Sequence, residues 1–113
     1  MDVLNFPGWL TQLCDHIQRV GLDSVTLDEL AEQVNLTPRA LQYAFKQHLN
    51  ITPMRWVRQQ RLKQARHALK TNPSKEVTVT RAALACGFTN LGVFARYYRV
   101  EFGENPSVTL SGQ

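Results

Sequence analysis

Residues 25–53 and 77–106 carry one pattern written twice. Val25-Thr26-Leu27 matches Val77-Thr78-Val79, Ala31 matches Ala83, and Asn35-Leu36-Thr37 matches Gly87-Phe88-Thr89, all at an offset of 52. One extra residue then enters the second copy and the offset becomes 53. Leu41 pairs with Phe94, Phe45-Lys46 with Tyr98-Arg99, Leu49 with Phe102 and Pro53 with Pro106. Each copy reads as a short capped helix, a turn at a residue that tolerates positive φ, and a longer helix, which is a helix-turn-helix. Two copies are too few for a solenoid, which needs at least ~3.

The punctuation around the repeat predicts an all-α chain of about seven helices. Trp9, Leu10, Leu13, Cys14 and Ile17 give a first helix over about 8–20, ended by Gly21. Thr26-Leu27-Asp28-Glu29 is a capping box, in which threonine and glutamate satisfy orphan amides reciprocally. Thr37-Pro38 opens a third helix and Thr52-Pro53 a fourth, each a cap followed by proline at the first helical position. The fourth runs to about Lys70 before Asn72 and Pro73 break it, and ~18 residues span about 27 Å. Its expected apolar stripe is Met54, Val57, Leu62, Ala65, Ala68 and Leu69, with Trp56 added to the core. Thr78 caps a fifth helix through Cys86, closed by Gly87; a sixth runs from about Asn90 to Phe102, ended by Gly103. Pro106 leaves room for one further turn.

The expected organisation is a first helix-turn-helix subdomain over 1–51 with its second helix at about 38–48. A linker helix follows over 52–71, then a second subdomain over 72–113 with its second helix at about 90–102. The 113 residues are 43% apolar and 19% charged, a folded rather than a disordered balance. No apolar run reaches the ~18–20 residues a bilayer requires, and no basic leader segment precedes an apolar stretch. Cys14 and Cys86 stand far apart among apolar neighbours, which reads as two core thiols in a reducing compartment. Membrane spans and disulfide scaffolds are excluded on this reading.

Charge is sharply segregated. Residues 1–37 hold six acidic residues and one basic residue, whereas residues 38–99 hold twelve basic residues and one acidic residue. The remainder, from 100 onward, adds Glu101 and Glu104 and no cation. Such a concentration of positive charge suits a polyanion. On the third helix Leu41, Ala44, Phe45, His48 and Leu49 share an inner face, and Arg39, Gln42, Tyr43, Lys46 and Gln47 share the outer one. The outer set fits a major groove: Arg39 toward guanine O6/N7, Gln42 toward adenine N6/N7, and Tyr43 toward a thymine methyl or a phosphate. Lys46 and Gln47 lie farther along and suit the backbone.

The chain resembles the DNA-binding domain of the AraC/XylS family of bacterial transcription regulators over residues 8–110. The matching residues are Leu30-Ala31, Leu36-Thr37-Pro38-Arg39, Leu41 and Phe45-Lys46 in the first module, and Pro53, Arg61-Leu62, Ala65 and Leu69 in the linker. In the second they are Ala83, Gly87-Phe88, Phe94, Tyr98-Arg99 and Phe102-Gly103 with Pro106. The ending Phe102 to Leu110 is similar to XylS-like members. The resemblance implies two helix-turn-helix units on one face of duplex DNA, in successive major-groove segments, serving a cytoplasmic, nucleoid-bound activator. It also implies a larger effector-binding or dimerisation domain ahead of this one, and RNA polymerase as a further partner.

The second module departs from the family's usual polarity, offering Asn90, Leu91, Gly92, Ala95, Arg96 and Arg99 outward. Asn90 and Arg96 are its expected base contacts and Arg99 a backbone contact. The helix starts at Thr26 and Thr78 could meet phosphate through free amides. Gly92 and Ala95 are expected to allow close approach but to read little, so the second module chiefly positions while the first specifies. The competing interpretation is a helical protein-interaction module whose basic face docks an acidic partner or RNA polymerase. His16, His48 and His67 lack metal-ligand spacing, and no catalytic constellation or phosphate loop is present. No cofactor, metal or enzymatic activity is expected.

Overall fold

The computed structural model describes residues 8–20, 25–72 and 76–112. The helix stop expected at Gly21 and the breaker at Pro73 lie outside them. Among the described residues there are seven helices and no strand: α1 (Gly8–Val20), α2 (Leu27–Gln33), α3 (Pro38–Leu49), α4 (Pro53–Lys70), α5 (Val79–Ala85), α6 (Leu91–Phe102) and α7 (Pro106–Ser111). The chain divides into two compact units, Met1–Val57 and Arg58–Gln113. The first turn of α4 belongs to the first unit and its remainder to the second.

In the first unit α1 and α2 pack together and α2 packs on α3. Its core holds Leu10, Leu13, Ile17, Leu30, Ala31, Leu41, Phe45, Trp56 and Val57. Phe45 is the hub, its ring 5.1 Å from Trp9 and 5.6 Å from Trp56 between centroids. In the second unit α5, α6 and α7 pack mutually around Leu62, Ala65, Leu69, Ala83, Phe88, Phe94 and Tyr98. Here aromatic rings form a continuous run, Phe88–Phe94 at 5.0 Å, Phe94–Tyr98 at 5.6 Å and Tyr98–Phe102 at 4.7 Å. Leu36, Leu41, Phe45 and Leu49 are the corresponding residues of the first copy, so an aliphatic-plus-tryptophan core and an aromatic core fill the same topology.

The turn of the repeat is reproduced bond for bond. Val34 N–H donates to Ala31 O, Asn35 N–H to Glu32 O and Leu36 N–H to Ala31 O at 3.2, 3.2 and 3.0 Å. Cys86, Gly87 and Phe88 make the same three bonds to Ala83, Leu84 and Ala83 at 3.2, 3.1 and 3.0 Å. The middle residue of each turn has positive φ, 57° at Asn35 and 90° at Gly87, as a tight helix-to-helix turn requires. Asn50 and Gly103 close the two longer helices with φ of 58° and 76°.

Four sequence expectations are corrected. Only half of the capping box forms: Thr26 Oγ1 accepts from Glu29 N–H at 3.2 Å, but the Glu29 carboxylate lies 3.5 Å from Nε2 of the buried His16. The pair makes no hydrogen bond, and Nε2 has no hydrogen-bond partner among the described residues. His48, placed inward by spacing, is exposed at the rim, its ring 5.8 Å from Trp9. Met54 is 36% exposed, because Pro53, Trp56 and Val57 take the inward positions of the first turn of α4. Helix α7 covers six residues, more than one turn, anchored by the buried Thr109.

That anchor is a polar chain inside the second unit. The Tyr98 hydroxyl donates to Thr109 Oγ1 at 2.7 Å, and the Thr109 hydroxyl donates to the Glu104 carboxylate. Burial pushes the Tyr98 phenol above its ordinary range, against the opposing effects of the Thr109 bond and the nearby Arg66 charge. Neutral phenol is therefore favoured in the folded state. Its stabilisation is complete below the unfolded tyrosine range near ~10 and falls as pH rises through the higher folded value. Tyr98→Phe is expected to lower stability by about 1–2 kcal/mol at neutral pH by removing the buried hydrogen bond that Thr109 Oγ1 accepts. It should also remove part of the alkaline loss shown by the parent, both readable by urea titration at pH 7 and above pH 10.

Candidate nucleic-acid interface

Helix α3 is set by its ends. Thr37 Oγ1 accepts from Ala40 N–H at 3.1 Å, Pro38 occupies the first helical position, and the turn at Asn35 fixes its departure from α2. With Leu41 and Phe45 fully buried, Arg39, Gln42, Tyr43, Lys46 and Gln47 are left together on the exposed side. Tyr43 is 67% exposed, so its ring and hydroxyl are both presented to the surroundings of the helix. This face gathers a guanidinium, an ammonium, two amides and a phenol on one side of a helix.

Helix α6 is built alike, with Asn90 as its cap: Asn90 Oδ1 accepts from Val93 N–H at 3.0 Å. That bond takes one of the two lone pairs of the side-chain oxygen and leaves the Nδ2 donors to face outward. Arg96 and Arg99 are exposed; Arg99 donates from Nη1 to Asn105 Oδ1 at a long 3.4 Å. At the offset of 53, Arg39, Gln42, Tyr43, Lys46 and Gln47 correspond to Gly92, Ala95, Arg96, Arg99 and Val100. The second face thus keeps cations in its later turns and has no long donor in its first.

Thr26 and Thr78 both cap helices, Thr78 Oγ1 accepting from Arg81 N–H at 3.1 Å. Their surroundings are opposite in charge. Asp28 and Glu29 occupy the first turn of α2, while the first turn of α5 has no acidic residue and carries Arg81. Arg81 is exposed, its Nη1 donating to Glu76 O at 3.3 Å. Sequence reasoning passed over it, although the repeat aligns it with Glu29 and so exposes a reversal of charge.

The cations of α4 divide between structure and surface. Arg58 lies over the Tyr97 ring at 3.9 Å and Arg66 over the Phe102 ring at 4.6 Å, stacks worth about 0.5–1 kcal/mol each. Lys63, Arg66, His67 and Lys70 line an open cavity with Phe102 in the second unit. Arg61 is half-buried and its charge acts on the buried Cys86, whose thiol is raised by burial and partly lowered by that charge. Cys14 is half-buried. Among the described residues no group of three or more His, Cys, Asp or Glu could hold a metal ion, and no helix is long and apolar enough to cross a membrane.

A family profile described as "Helix-turn-helix domain" matches residues 30–112. The chain belongs to the AraC/XylS family. It is similar to the XylDLEGF operon transcriptional activator 2 of Pseudomonas putida, 43% identical over 89 residues covering 78% of this chain and 56% of that one. Its fold matches a probable AraC family transcriptional regulator from Rhodopseudomonas palustris with a TM-score of 0.82 and 35% identity, covering 93% of this chain and 96% of that one. A DNA-binding domain of the transcriptional factor AdpA, solved with a target DNA, shares the fold alone. There the identity is 20% and the TM-score 0.78, over 91% of this chain and 90% of that one. The chain spans just over half the length of the first of these relatives. As an AraC/XylS domain it is a transcription regulator's DNA-binding domain and not an enzyme.

Among the described residues, the outward side chains of α3 make no hydrogen bond or ion pair on which this AraC/XylS fold depends. Arg39→Ala, Gln42→Ala and Lys46→Ala should therefore each change stability by less than about 0.5 kcal/mol, measured by urea unfolding. Thr37→Ala, which removes the cap, should cost about 1 kcal/mol.

Proposed function

We propose that this chain reads a specific duplex sequence, with α3 and α6 entering successive major-groove segments of one DNA face. The observation that carries this is the outward face of α3: five groove-compatible side chains, exposed together on a helix whose opposite side is the core. Arg39 and Gln42 are the base readers, because their geometries match guanine and adenine edges bidentately. Tyr43 meets a thymine methyl or a phosphate. Arg96, with Asn90 through its amide nitrogen, contacts bases from α6.

Lys46, Gln47 and Arg99 hold the phosphates, and Thr78 with the adjacent Arg81 does so at α5. Thr26 is the weaker of the two cap positions for this purpose, since Asp28 and Glu29 stand beside it. We further propose that the intact regulator is a cytoplasmic, nucleoid-bound activator carrying an effector or dimerisation domain ahead of this one, and that it touches RNA polymerase. The length of the Pseudomonas putida activator it resembles supports the additional domain.

Selection from a random duplex pool, followed by titration of the enriched site across a salt series, tests the reading. Arg39→Ala or Gln42→Ala should cost about 1–3 kcal/mol at the enriched site and relax its preference there. Lys46→Ala should weaken all duplexes alike and flatten the salt slope by about 0.9. Binding unaffected by all three changes rejects the assigned face.

A further inference from the structure

The first turn of α6 is chemically unlike that of α3, and its composition has no explanation inside the protein. Where α3 has Arg39 and Gln42, α6 has Gly92 and Ala95. Leu91, the first residue of the helix, is 41% exposed. Gly92 is exposed and its φ is an ordinary one; a Cβ placed on it would meet only Asn90 Oδ1, at a permissible 3.4 Å. Neither backbone conformation nor internal packing requires a glycine there, and glycine weakens a helix relative to alanine. Its remaining use is clearance for a surface outside the protein.

In a helix-turn-helix the N-terminal residues of the second helix are those that meet base edges. Among the groups lining the major groove, the C5-methyl of thymine is the apolar one. We infer that the first turn of α6 is an apolar reader, in which Leu91 packs on a thymine methyl and Gly92 lets the helix approach closely enough for that contact. This rests on the DNA reading above; it gives the close approach expected at Gly92 a purpose and makes Leu91 the reader that the approach serves. The second module then specifies sequence as well, by apolar contact rather than by donor and acceptor pairing.

Replacing thymine by deoxyuridine removes the methyl and leaves every hydrogen-bonding group in place. Each thymine of the pool-enriched duplex is replaced in turn and affinity is measured for the parent chain, Leu91→Ala and Arg39→Ala. One thymine, distinct from any whose methyl meets Tyr43, should show a loss of about fourfold in the parent, the value of one buried methyl. Leu91→Ala should abolish that sensitivity, and Arg39→Ala should leave it intact. In parallel, Gly92→Ala should raise the melting temperature of the free protein while weakening its binding to the same duplex. A parent insensitive to every deoxyuridine overturns the inference, as does a penalty that persists in Leu91→Ala, or a Gly92→Ala chain that binds undiminished. A pool that enriches no duplex instead overturns the DNA reading itself, and this inference with it. Because Leu91 is partly exposed, its truncation leaves the core intact; a thermal melt of the variant checks this.

Discussion

The structure turns on two residues held at positive φ. Asn35 and Gly87 each sit between a short helix and a longer one, and each is locked by the same three backbone hydrogen bonds. Those bonds leave one way for the chain to leave the first helix of each pair, so they set the angle at which α3 and α6 depart. Everything outward on those helices inherits its direction from that angle. A β-branched residue at either position would force a different turn, and the exposed face of the following helix would rotate with it.

Caps and turns were legible in the sequence because they are local. A threonine and the amide three residues on, or an asparagine at a helix end, need no distant partner to express their preference. The all-α class and the grouping of Arg39, Gln42, Tyr43, Lys46 and Gln47 followed from spacing alone, since angular position on a helix is fixed by residue number. What spacing cannot say is which neighbouring element covers a face. His48 lies at an inward angle, yet it is exposed, with the Trp9 ring at its edge. Glu29 fits the capping pattern, but His16 on another helix competes for its carboxylate. Arg58 and Arg66 find their rings on α6, and nothing in the linker's own sequence announces that pairing.

The two modules also show that topology constrains less than it seems. One core is filled by leucines, a phenylalanine and a tryptophan, the other by a run of four aromatic rings, with the same turn between them. Close packing demands matched volume, not matched residues. The aromatic core brings a polar obligation that the aliphatic one lacks: a buried tyrosine hydroxyl must be satisfied, and Thr109 of α7 is placed to do so. The short last helix is therefore part of the second core, as the first turn of α4 is part of the first.

The exposed side of α3 bears no responsibility for keeping the domain folded, whereas the turn and the buried side bear nearly all of it. Selection on the gene can consequently act on the two sets of codons independently. On the proposed reading, a handful of nucleotide changes confined to the outward positions would alter the contacts offered to a promoter without an intermediate that fails to fold. The same architecture can in this way serve many promoters, with each lineage's history written on the outward strips of its two longer module helices.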